Sequence, residues 1–266
     1  MIENRFYRKV WLVLLSLVVL CGSFGCAPVE KKPMPQPPDK NALRVGVSTN
    51  APPLIFKQGQ QIVGLEADFA REFAKYLGKT LQFVELDWKD QIPALLENRI
   101  DIIMSGMTKT TLRQVRVAFS TAYFRSGQMA LIRNDDAMRF KAGFYSIHHK
   151  MVIGAVKNTT GEYFVQKQLG NNKIVAFLTS REGVEALIHG DIDMLIHDAP
   201  IILYLASENE TKSVTPLFSL FTEEYLAWAI RKEDVQLLKS ANAFLEALNR
   251  DRRLEPMIRR WIPFTK

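Results

Sequence analysis

The sequence predicts an α/β protein with mostly parallel central sheets, and three observations lead there. Short runs rich in β-branched residues, each of strand length, alternate with amphipathic segments of helix length. That alternation occurs twice, over residues 43–104 and again over 151–198, and strands separated by helices pair in parallel. The chain of 266 residues is 47% hydrophobic with ordinary charge, enough to bury a sizeable core in one or two domains.

The N-terminus stands apart from this pattern. Arg5, Arg8 and Lys9 precede an apolar run, Val10 to Cys21, broken only by Ser16. A charged region followed by an apolar stretch too short for a comfortable membrane span reads as a secretion signal over residues 1–26. Gly22-Ser23-Phe24-Gly25-Cys26 is similar to a bacterial lipobox, which implies lipid attachment at Cys26 and a membrane partner through that lipid. Ser23 and Phe24 depart from the usual pattern, so an uncleaved anchor or ordinary cleavage stays open. Cys21 and Cys26 are the only cysteines, so no disulfide staples the folded part. Residues 27–42, with Pro28, Pro33, Pro35, Pro37 and Pro38 among charges, read as an extended tether. The formal charge of +7 comes without an aromatic-basic motif, which argues against nucleic acid as a partner.

Leu43 to Val47 alternates as a strand and opens into the proline-containing loop Ser48–Pro53, with a hairpin about Gly59. Leu65, Phe69, Phe73 and Leu77 recur at helical spacing between Gly64 and Gly78. Thr80–Leu86 reads as a strand, Lys89–Asn98 as a helix with Pro93 near its start, and Ile100–Met104 as a buried strand. The second unit repeats this grammar. Strands at Met151–Val156, Lys173–Leu178 and Ile192–His197 alternate with helices at Gly161–Leu169, Ser180–His189 and Ala199–Ala206, Ser180 serving as an N-cap. A strand at Tyr225–Ile230, a helix at Val235–Leu248 and a short helix carrying Leu254, Ile258 and Trp261 complete the chain.

The Ile100 strand empties into Ser105, Gly106 and Thr108, with Arg113 five residues beyond Thr108. Glycine admits close approach to the main chain, hydroxyls donate hydrogen bonds, and a guanidinium fork matches a carboxylate. The bland reading is a strand ending in a polar turn with a surface arginine. Ser-Gly-Met-Thr-x-Thr-x-x-Arg at 105–113, then Val117-Ala118-Phe119-Ser120 and Tyr123-Phe124-Arg125-Ser126-Gly127-Gln128, resembles the solute-binding proteins of polar amino-acid ABC transporters. The resemblance runs from Leu43 to Pro263.

It implies a two-lobed periplasmic-binding-protein type 2 fold, with lobe one at 43–127 plus 228–266 and lobe two at 128–227. It also implies an extracytoplasmic monomer without a cofactor, taking an amino acid or similar small carboxylate and working with an ABC permease. Residue by residue, Thr160 matches the family's Gly-Thr-Thr turn that meets the ligand carboxylate, with Asn158 where the family has glycine. Asp198 matches the aspartate that takes the α-amino group. Trp88 falls where an apolar or aromatic wall is frequent, Ala51 replaces a common aromatic, and Ser48 stands where an acid is frequent in binders of cationic side chains.

Each assignment has a plainer competitor: a helix cap for Thr160 and for Asp198, plain core for Trp88. Glu224 carries an enzymatic alternative, since a buried carboxylic acid can protonate a leaving hydroxyl, and the chain resembles cyclohexadienyl dehydratases at a low level. A periplasmic sensor acting on a separate partner is the third class. His148 and His149 lack a cysteine or spaced acid to complete a metal site.

Overall fold

A computed structural model describes residues 41–263. The secretion leader, Cys26 and residues 27–40 of the tether lie outside the described residues. In chain order, β1 (Ala42–Val47) leads into a small antiparallel sheet of β2 (Asn50–Ala51), β3 (Ile55–Gln58) and β4 (Gln61–Val63), turned at Gly59. Then follow α1 (Leu65–Tyr76), β5 (Thr80–Glu85), a 3₁₀ turn at Trp88–Asp90, α2 (Gln91–Leu96), β6 (Ile102–Ile103), α3 (Thr111–Arg116) and β7 (Ala118–Phe119). The chain crosses on β8 (Phe124–Ser126) to β9 (Gln128–Arg133), β10 (Val152–Val156), α4 (Thr160–Gln168), β11 (Lys173–Phe177), α5 (Ser180–His189), β12 (Met194–Asp198), α6 (Ala199–Glu208) and β13 (Val214–Leu217). It returns on β14 (Glu224–Leu226) to β15 (Ala229–Ile230), α7 (Val235–Arg250) and α8 (Leu254–Trp261).

Two five-stranded sheets result, ordered β5-β1-β6-β15-β7 and β11-β10-β12-β9-β13. In each, three strands run parallel, β5-β1-β6 and β11-β10-β12, with the helical crossovers the sequence demanded. The remaining pairings are antiparallel, with β15 and β9 the reversed strands, and in the first sheet β15 arrives from more than a hundred residues downstream. The two crossings pair with one another, β8 against β14, as a two-stranded ribbon between the sheets. This is the two-lobed periplasmic-binding-protein architecture.

Both sheets are covered by buried apolar side chains. Beneath the first, α1 turns Leu65, Phe69 and Phe73 inward while Glu66 and Asp68 occupy its first turn and Lys75 its last, a charge order that suits the helix dipole. Trp228 is fully buried there, with its ring 5.7 Å from Phe73 and 6.1 Å from Phe244 of α7. Phe140, Ile153, Met194 and Ile196 fill the corresponding layer of the second sheet. Among the described residues no helix is long and apolar enough to cross a membrane.

Three sequence expectations need correction. The helix expected over Lys89–Asn98 is a 3₁₀ turn followed by the six-residue α2; Pro93 has no N–H to donate, which only the first α-helical turn tolerates. The strand expected over Tyr225–Ile230 is broken into β14 and β15 because Leu226 ends the ribbon, bridging Thr108, before Ala229 joins the sheet. Ser180 is not the cap of α5: the Thr179 hydroxyl accepts from Glu182 N–H, while the Glu182 carboxylate accepts from Leu178 N–H, one residue before the cap, at 3.0 Å.

Candidate ligand-binding cleft

In open α/β sheets the carboxyl ends of parallel strands leave a crevice, and a cavity of about 450 Å³ lies there. Ser48 follows β1, Trp88 follows β5, and Ser105 and Gly106 follow β6. From the other sheet, Asn158 to Thr160 follow β10, Leu178 to Ser180 follow β11, and His197 and Asp198 end β12. With Thr108 and Arg113, all eight residues singled out in the sequence line this one cavity.

The first-lobe side is a set of donors held rigidly. Ser105 Oγ accepts from Ser48 N–H at 2.9 Å and from Gln91 Nε2 at 3.2 Å, which leaves its own hydrogen to donate into the cavity. Gly106 sits at φ 69°, and a Cβ there would meet Leu54 Cδ1 at 2.6 Å. Only glycine fits. Its amide is not free for a ligand, because it donates to Glu66 Oε1 at 2.5 Å. Arg113 spends Nη1 on the Thr108 carbonyl at 2.9 Å and lies 5.3 Å from the Trp88 ring centre, the rest of its fork remaining available. Burial pulls its guanidinium below the usual arginine range, opposed by the charges of Asp198 and Glu224.

The second-lobe side supplies the opposite sign. Asp198 occupies the N-cap position of α6 yet makes no side-chain capping bond, so the plain capping role is not what holds its carboxylate. Oδ1 accepts from Gln128 Nε2 at 2.5 Å. Burial first, then the Glu224 charge, push its pKa up to about 7 against the pull of Gln128 and Arg113. Thr160 is likewise released from capping, because Thr159 accepts from Glu162 N–H. Asn158 takes φ 62°, a left-handed turn that asparagine tolerates better than other side-chain-bearing residues, which is why it can stand in for glycine. Its carbonyl accepts from Trp88 Nε1 at 2.8 Å, a hydrogen bond from one lobe to the other across the cavity.

Glu224, in the ribbon, is not among the residues lining the cavity. Oε2 accepts from Thr108 Oγ1 at 2.8 Å and Thr160 Oγ1 at 2.9 Å, and Oε1 from Gln128 Nε2 at 3.1 Å and Thr222 Oγ1 at 3.0 Å. Its lone pairs are engaged on both sides by residues of both lobes. Sequence reasoning missed Glu66 and Gln128. Glu66 is 0% exposed and accepts from Gly106 N–H, Tyr123 OH at 2.7 Å and Trp228 Nε1 at 2.9 Å; burial raises its pKa to about 7. An acid in the first turn of an amphipathic helix gives no sign of that. No group of three or more His, Cys, Asp or Glu among the described residues is placed to hold a metal.

Residues 43–264 match the family described as bacterial extracellular solute-binding proteins, family 3. The chain is 28% identical to the ABC transporter glutamine-binding protein GlnH of Bacillus subtilis (strain 168), covering 97% of each chain. It is 25% identical to the L-cystine-binding protein TcyJ of Escherichia coli (strain K12), over 96% of this chain and 95% of that one. Among solved structures, the ancestral amino acid-binding protein AncCDT-1, a precursor of cyclohexadienyl dehydratase, superposes with a TM-score of 0.77 at 32% identity, over 84% of this chain and 95% of the other. A binding component of an ABC transporter from Wolinella succinogenes, complexed with lysine, gives a TM-score of 0.79 at 29% identity over 84% and 96% of the two chains.

Proposed function

The chain belongs to the bacterial extracellular solute-binding proteins of family 3, and from that premise we propose that it is the extracytoplasmic receptor of an amino-acid ABC transporter, closing two lobes on one amino acid for delivery to a permease. The observation that carries this reading is the opposed pair Arg113 and Asp198 in one cavity, the cation from the first lobe and the anion from the second. An α-carboxylate docked on the Arg113 fork and the Ser105 hydroxyl leaves an α-ammonium facing Asp198. From the opposite wall Thr160, first in α4 and with its hydroxyl given to Glu224, offers its backbone N–H to the carboxylate. A ligand that touches both lobes favours the closed state through those differential contacts.

In this reading lobe one comprises residues 43–127 and 228–266, and lobe two 128–227. The protein acts as a monomer, secreted by the leader 1–26 and held at the membrane by a lipid on Cys26 through the tether 27–42. The site binds without chemistry of its own. Glu224, the residue on which an enzymatic alternative would rest, accepts four hydrogen bonds and stands outside the cavity lining, which favours tying the lobes over proton donation to a substrate.

Calorimetry on the purified full chain with the standard amino acids tests the reading, together with Arg113→Ala. Micromolar or tighter binding of one amino acid, lost in the variant by about 2–5 kcal/mol, is the expected result. Loss of cyclohexadiene absorbance on offering prephenate or arogenate, abolished by Glu224→Gln while no amino acid binds, would replace the receptor with a dehydratase.

A further inference from the structure

With both ends of an amino acid assigned, the rest of the cavity must receive its side chain, and what lines that remainder is uncharged where it is buried. Ser48, Leu54, Ser180, His197 and Ile201 all line the cavity and all are buried. The other charged lining residues, Asp87, Lys89, Lys157 and Glu182, are exposed at the rim with two of each sign. Glu182 is also engaged with Leu178 N–H, and it offsets the positive end of α5 in that helix's first turn. A cationic side chain therefore finds no free buried carboxylate, and an anionic one finds no free buried cation.

His197 is the most informative group in this wall. It is 7% exposed, and its Nδ1 accepts the Asp198 backbone N–H at 2.7 Å. A nitrogen that accepts carries no proton, so the neutral ring bears its hydrogen on Nε2. Burial reinforces neutrality by pushing the imidazole down to about 4. Among the described residues no hydrogen bond engages Nε2. His197 Nε2 stays open to the cavity, whereas a second polar group of the wall is buried and unsatisfied: Ser180, 2% exposed, has an Oγ without a partner. A buried polar group left unpaired is costly, and a ligand that takes the open His197 Nε2–H and meets the Ser180 hydroxyl accounts for both groups in one wall.

We infer that His197 and Ser180 form a side-chain subsite selecting an amino acid whose side chain ends in an uncharged hydrogen-bond acceptor, a carboxamide, over cationic or anionic side chains. The inference rests on the receptor reading and sharpens it. The Nε2–H group donates to the carboxamide oxygen, the Ser180 hydroxyl takes either end of the amide after rotation about χ1, and Leu54 and Ile201 flank the methylenes. A guanidinium or ammonium would instead present only donors to a donor.

The test is a titration panel on the full chain with L-glutamine, L-arginine, L-lysine, L-glutamate and L-norleucine, repeated on His197→Phe and Ser180→Ala. L-glutamine is expected to bind at least about tenfold more tightly than any charged member. Its preference over L-norleucine is expected to shrink about tenfold in His197→Phe and about threefold in Ser180→Ala, the worth of one hydrogen bond or less. Ser180→Ala should not lower the ligand-free Tm, because it removes an unpaired hydroxyl, and it keeps the test open if His197→Phe fails to fold. A charged amino acid binding most tightly, or an unchanged glutamine-to-norleucine ratio in the folded variants, overturns the subsite and leaves the receptor intact. Absence of binding by every standard amino acid removes the receptor reading, and the subsite with it.

Discussion

Each lobe of this protein buries a carboxylate whose pKa burial raises to about 7, Glu66 in the first and Asp198 in the second, yet the two are surrounded differently. Glu66 receives three donors and is not among the residues lining the cleft: an amide, a phenol and an indole close around it. Asp198 receives one side-chain donor, Gln128, and faces the cavity with the rest of its lone pairs. Two carboxylates with similar titration thus hold different offices. A polar group whose partners are all supplied by the protein holds structure, whereas one whose partners are missing awaits a ligand.

The sharpest way to break this contrast is to remove each group and measure stability and affinity separately. Glu66→Leu is expected to cost the most, roughly 3–5 kcal/mol in denaturant unfolding, since it strands three buried donors at about 1–3 kcal/mol each before relaxation. A loss below about 1 kcal/mol would mean the three bonds are dispensable. Asp198→Asn should do the reverse. Unliganded stability stays level or rises, while affinity for the bound amino acid falls by about 2–3 kcal/mol, near a hundredfold, by calorimetry.

Proton linkage draws the same line more finely. Near pH 6 the unliganded Asp198 is mostly protonated, its pKa being raised to about 7, and a docked ammonium lowers that pKa by favouring the anion. Binding should therefore release close to one proton, and affinity should weaken as pH falls below about 7. Titrations in buffers of different ionisation enthalpy read that proton directly. Asp198→Asn should eliminate it, because Glu66 faces no ligand and keeps its own proton occupancy through binding. Proton release that persists in Asp198→Asn would show that the two carboxylates are not separate. The smallest effect concerns the bond across the cleft. Trp88→Phe keeps an aromatic ring beside Arg113 and loses the donor to the Asn158 carbonyl, so dissociation in stopped flow should accelerate a few-fold, equivalent to about 0.5–1.5 kcal/mol.

Much of this could be read from the chain itself, and the limits are physical. Apolar periodicity located α1, α7 and the parallel strands, because burial on one face writes a repeat into the sequence. The strand-to-turn transition at Ser105–Gly106 and the acid ending β12 were legible as local chemistry. Caps were less so: Thr179 and Ser180, or Thr159 and Thr160, are adjacent hydroxyls, and one residue of phase decides which one caps. Glu66 and Gln128 were invisible because the hydrogen-bond partners of their side chains lie 32 to 162 positions away. No local pattern records such partners.

The position of β15 in the first sheet has a consequence for how the chain is made. Between β6 and β7 the sheet keeps a place for two residues, Ala229 and Ile230, that follow the entire second lobe in sequence. Trp228, packed at the centre of the first core, arrives with them. During synthesis and export, the first hundred residues therefore emerge without the strand that joins β6 to β7, while the contiguous second sheet can form from residues already delivered. The lobe made first is completed last, and a chain that stops before residue 228 leaves its opening domain without a centre.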